Sequence, residues 1–142
     1  NRETQGEPVM LTNHIALCSA TARIGRAELA EVASALQMQV TRDFQPIWNI
    51  AATVDAFEID QVPAGYWPII VQDTIPNKDA LGFHWVEATG MPFALVLYGP
   101  TWPLTASHEC LEMLADPTGN RPSSRMRWSS FCELYVPAAT MT

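Results

Sequence analysis

Apolar and polar positions along the chain change period several times, and each change marks an element. Val9–Cys18 (VMLTNHIALC) is rich in apolar and β-branched residues and predicts a first strand, with His14 packed on its face. Thr21–Gly25 predicts a turn with capping residues. Arg26–Phe44 then switches to helical spacing: Leu29, Val32, Ala33, Leu36 and Val40 fall close to i, i+3, i+4, i+7. Glu28 and Glu31 occupy its first turns, where the helix dipole favours negative charge, and Pro46 ends the run. This helix is expected to back a sheet.

Ile50–Ile59 and Trp67–Ile75 predict two more strands, separated by a turn at Pro63-Ala64-Gly65. After a polar loop at Pro76–Ala80, Gly82–Glu87 and Pro92–Tyr98 predict a hairpin turning at Ala88-Thr89-Gly90. The first hairpin strand is the more polar and is expected at a sheet edge. Gly99–Pro103 leads into a second helix, Leu104–Asp116, with Thr101 or Thr105 as N-cap and Pro117-Thr118-Gly119-Asn120 as the stop. Arg121–Arg127 then predicts a loop and Trp128–Val136 a final strand, with residues 1–8 and 137–142 as loose ends. The order predicts one α+β domain over 1–142: a mixed or antiparallel sheet of about five strands, a backing helix and a second helix.

Composition narrows the function. The 142 residues are 48% hydrophobic and 16% charged, the balance of a chain that buries a core. A net charge of −7 with one lysine, Lys78, argues against nucleic acid or an anionic membrane as partner. Three cysteines, Cys18, Cys110 and Cys132, include no C-x-x-C pair and favour reduced thiols, with a cytoplasmic setting the expectation. The longest apolar stretch, Met91–Leu104, is broken by Pro92, Gly99, Pro100 and Pro103, so no membrane span is expected.

The second helix carries the candidate chemistry. His108 and Glu112 lie four residues apart on one helical face, and Glu109 follows His108 directly. This is the H-E-x-x-H arrangement, in which two histidines hold zinc and the Glu acts as base, with a Glu in place of the second histidine. A carboxylate binds zinc at about the same distance as an imidazole. The plainer reading is an ordinary amphipathic helix with Leu104, Leu111, Leu114 and Ala115 buried and its acids in solvent. Ser107 and Cys110 point away from His108 and make no nucleophile–base pair. His84, on the predicted edge strand, is expected to be exposed unless it turns toward a cleft.

Element order and motif together resemble the N-terminal half of the zincin metallopeptidases. The stretches ALQMQVTRDFQPIW, VPAGYWPIIVQD and LTASHECLEMLADPTGNR also resemble an uncharacterised family of bacterial proteins. Members of that family continue into a strand with a Glu followed by a Pro four residues on, as Glu133 and Pro137 are placed here, and the resemblance carries the expectation that their longer C-terminal portion is absent or altered in this chain. The zincin resemblance implies His108 and Glu112 as zinc ligands, Glu133 as a third, and Glu109 as the general base that deprotonates the attacking water. It also implies a peptide or protein substrate laid along the edge strand at Gly82, Phe83, His84 and Trp85. On a continuous helix, Asp116 lies roughly 12 Å from His108, at ~1.5 Å rise per residue, so a turn, cap or ligand-orienting role is expected for it. The rival expectation is a catalytically degenerate, zincin-like binding or self-assembling protein, a homo-oligomer built through an edge strand or the tail.

Overall fold

The computed structural model describes residues 11–76 and 80–117. Glu133, the strand expected at Trp128–Val136 and both loose ends lie outside the described residues.

Among the described residues, five strands form one mixed sheet, in the order β2-β1-β3-β5-β4. β1 is Thr12–Ser19, β2 Ala51–Ala56, β3 Trp67–Gln72, β4 Gly82–Val86 and β5 Pro92–Leu97. Strands β2, β1, β3 and β5 run parallel, and β4 returns antiparallel to β5 at one edge. The chain therefore has the expected α+β character, and β4 takes the expected edge. The hairpin closes as the sequence predicts, with the Glu87 N–H donating to the Met91 carbonyl and Gly90 at a φ of 91° that a side chain would disfavour.

Residues opposite one another in adjacent strands share a face. One such row runs Leu17, Ile69, Ala94, His84, and a second runs Val71, Val96, Gly82. Ile15, Leu17, Ile69, Val71, Ala94 and Val96 on this face are fully buried, packed with the apolar residues of the helices into one core. Helix α1 (Arg26–Gln39) covers the β1–β2 side of this face, and α3 (Trp102–Ala115) covers β3, β5 and β4. Two side-chain contacts link the helices: Trp102 Nε1 donates to Glu28 at 3.1 Å, and Ser107 Oγ donates to Gln39 Oε1 at 2.6 Å. The opposite face is crossed by the β2–β3 connection, whose Tyr66 stacks on His14 at 4.9 Å.

Pro46 does not end the first helical run. The chain widens into a π-helical turn at Val40–Phe44 and continues as a short helix, α2 (Gln45–Trp48), with Pro46 in its first turn. The π turn, in which the Gln45 N–H donates to the Val40 carbonyl, carries the chain past the proline and keeps Val40 and Phe44 buried. Asn49, in the left-handed region at φ 55°, makes the actual stop. The strands are also shorter than expected, ending at Ala56 and Gln72, where their backbones leave the ladders. Among the described residues no helix is long and apolar enough to cross a membrane.

Candidate metal centre

Helix α3 is buried around most of its circumference. Trp102, Ala106, Cys110, Leu111, Met113 and Leu114 lie in the core, while Leu104 and Ala115 are only partly covered. An amphipathic helix with solvated acids does not describe it, because Glu109 is 8% exposed and Asp116 only 2%. A carboxylate this deep needs a compensating partner.

That partner comes from the edge strand. His84 shares the helix-facing side of β4 with Gly82 and Val86, and its side chain is only 13% exposed. The expectation of an exposed strand histidine is thus corrected: the alternation that turns Phe83 and Trp85 outward sends His84 down onto α3. Its Nδ1 lies 2.8 Å from Glu112 Oε1 and 3.4 Å from Glu109 Oε1. One N–H cannot serve both acids, so the shorter contact is the hydrogen bond and the longer one an ion-pair distance. Glu109 Oε1 is left buried with no hydrogen-bond donor among the described residues.

The electrostatics follow from this placement. Burial on its own pushes the His84 pKa down, but the close approach and negative charge of Glu109 and Glu112 more than reverse this and carry it up to about 9. Burial raises the pKa of Glu109, with the Glu112 charge adding to it and His84 opposing it. At neutral pH a proton on His84 therefore holds the two carboxylates together. His108 behaves in the opposite way, its pKa lowered by burial against the pull of Glu112.

The atoms that converge are one imidazole nitrogen and one oxygen from each of two carboxylates, all within 4.8 Å of one another. Donors around a tetrahedral zinc ion, each at about 2.0–2.1 Å, stand roughly 3.3 Å apart. The His84–Glu109 spacing already matches, and the His84–Glu112 hydrogen bond has to open by about half an ångström when a cation replaces its proton. A buried carboxylate oxygen lacking a donor is also what a cation site leaves when no cation is counted. These three groups could hold a metal ion.

The helix and strand bring together only part of the expected set. Glu109 and Glu112 converge, three residues apart on α3. His108 lies on the same helix, within electrostatic range of Glu112, but is not one of the three converging groups. Asp116 caps the end of α3, its N–H donating to the Glu112 carbonyl at 2.9 Å, in keeping with a turn or cap role. Glu133 lies outside the described residues. His84 entered the sequence reading only through the edge strand. The signal that marks it is a polar residue on the inward parity of the edge strand of a hairpin that leads into the helix bearing Glu109 and Glu112.

The edge strand also presents its backbone. Because Leu97 N–H donates to Leu81 O and Glu87 N–H to Met91 O, the odd-numbered residues of β4 face β5. By the alternation of an antiparallel ladder, the N–H and C=O groups of Gly82, His84 and Val86 face the open edge. Phe83 and Trp85 pack edge-to-face at 6.3 Å on the outer side, with Trp85 64% exposed. No protein-family model matches this chain, and a comparison with curated proteins finds no matching sequence.

Proposed function

We propose that the protein is a divalent-cation-dependent hydrolase of metallopeptidase type, with zinc held by His84, Glu109 and Glu112. The observation that carries this reading is the convergence of three donor atoms within 4.8 Å directly beneath β4, an edge strand among the described residues. It assigns Glu109 to the cation as a ligand instead of to the water as a base. A zinc ion held by these residues would lower the pKa of water toward neutrality and polarise a carbonyl. The chain's own residues do the rest. The outward N–H and C=O of His84 accept an extended peptide as an added strand, and the His84 side chain reaches from the same residue to the cluster. A carbonyl paired at that point lies against the cation site with its register fixed by backbone hydrogen bonds. The tight burial of Glu109 keeps bulk water from competing for the donors.

The short His84–Glu112 contact supports a second reading, in which the triad is an ion pair that pins β4 to α3 in a binding or self-assembling protein. Calorimetric titration with zinc at pH 7.5 separates the two. The hydrolase reading expects one equivalent bound and cleavage of an unstructured peptide that a chelator abolishes. No binding at millimolar zinc leaves the ion-pair reading in its place.

A further inference from the structure

Gly82 sits two residues before His84 on the same side of β4, facing α3. A Cβ built on it would lie 2.7 Å from Thr105 Cγ2, 3.1 Å from the Leu95 carbonyl oxygen and 3.3 Å from Glu109 Oε2. The first distance is closer than carbon atoms tolerate, and Thr105 cannot easily yield. It is a β-branched residue inside a helix, 7% exposed, with Oγ1 turned toward the Thr101 carbonyl at 3.4 Å. An added methyl group would have to push strand and helix apart.

The same gap is the one that His84 spans. Thr105, Glu109 and Glu112 follow i, i+4, i+7 along one stripe of α3, and Gly82 and His84 form the facing stripe of β4. Whatever sets the Gly82–Thr105 approach also sets the reach from His84 to the two carboxylates. With optimal carbon–carbon contacts at about 3.5–4.0 Å, a side chain at position 82 calls for a separation of roughly 1 Å. A shift of that size turns a 2.8 Å hydrogen bond into no bond. We infer that Gly82 is a positioning residue for the cation site: the missing side chain lets β4 approach α3 closely enough for His84, Glu109 and Glu112 to share one ligand. The inference rests on the cation-binding reading above and concerns how that site is assembled.

The test is a steric rescue. G82A should bind zinc at least tenfold more weakly than the unmodified chain in a competition titration against a chromophoric chelator. T105S removes only the Cγ2 methyl, and the double variant G82A/T105S should recover to within about threefold, with the 3.1 Å approach to the Leu95 carbonyl accounting for the shortfall. A second readout needs no metal: the hydrogen-bonded imidazole N–H of His84, a downfield proton resonance, should vanish in G82A and return in the double variant. If G82A does not fold, the double variant decides alone, and a double variant that is unfolded or folded without recovery overturns the inference. Undiminished zinc binding by a folded G82A also overturns it. A chain that binds no zinc but loses and regains the imidazole resonance retires the cation reading and leaves the role of Gly82 standing.

Discussion

The two edges of the sheet are built in opposite ways. At β2 the side-chain amide of Gln37 mimics a neighbouring strand: Nε2 donates to the Ala52 carbonyl at 3.0 Å, and Oε1 accepts from the Val54 N–H at 2.7 Å. The edge is thereby occupied by the protein's own helix. At β4 the outward groups of Gly82, His84 and Val86 meet no strand among the described residues, and Gly82–Val86 carries no lysine, proline or acid to discourage one. Among the described residues, Gln37 engages the β2 edge and nothing engages the β4 edge, a difference that has a purpose if only β4 is meant to receive a strand. The three-donor cluster lies beneath β4 and not beneath β2.

This contrast breaks most completely at His84. H84A removes the only imidazole of the cluster and should abolish measurable zinc binding, a loss of at least a hundredfold by calorimetry; retention of binding would detach the open edge from the cluster. E109Q keeps the shape of the side chain but removes a charge that burial disfavours. Zinc affinity should fall tenfold or more while the thermal midpoint of the metal-free protein holds or rises by a few degrees. A fall in both would make Glu109 a stability residue. At the Gln37 edge, Q37A deletes the two hydrogen bonds to β2, at about 1 kcal/mol each, along with an exposed one to Thr41 Oγ1, and uncovers two β2 backbone groups. Chemical denaturation should register about 1–2 kcal/mol of lost stability and sedimentation a new tendency to associate, with zinc binding unchanged.

The pH dependence of the metal-free protein sharpens the same picture. His84 titrates at about 9 in the folded chain against 6.5 in the unfolded one, so its contribution is fully present below pH 6.5 and is lost as pH rises to 9. The raised pKa of Glu109 has the same sign over its own window, stability falling as pH climbs above 4.5. His108 works the other way, its lowered pKa costing stability as pH drops below 6.5. Denaturant midpoints should therefore decline between pH 6.5 and 9, and the decline should flatten in H84A. The smallest expected effect is at the thiols. Burial lifts Cys18 to about 11 and Cys110 to about 12, so in a C132S background neither should react with a disulfide reagent at pH 8 until the chain unfolds.

Much of the frame was legible in the sequence because it depends on local signals. The hairpin at Gly90, the α3 stop before Pro117 and the polar character of β4 each follow from residue type and period. The run of helix through Pro46 was not legible, since a proline in sequence does not say whether a π turn will carry the chain past it. The cluster was half legible. Glu109 and Glu112 announce themselves by helical spacing, but His84 lies 25 positions before Glu109 on another element and meets it only through the β4–β5 hairpin and the crossing of α3. The burial of Glu109 was not legible either: it depends on α3 lying under three strands at once.

The central claim, that His84 and not His108 joins the two glutamates around a cation, is tested most directly by zinc titration of H84A and H108A side by side. The account predicts that H84A loses binding and that H108A keeps it within a few-fold of the unmodified chain. The opposite pattern, with H108A silent and H84A unaffected, would contradict it.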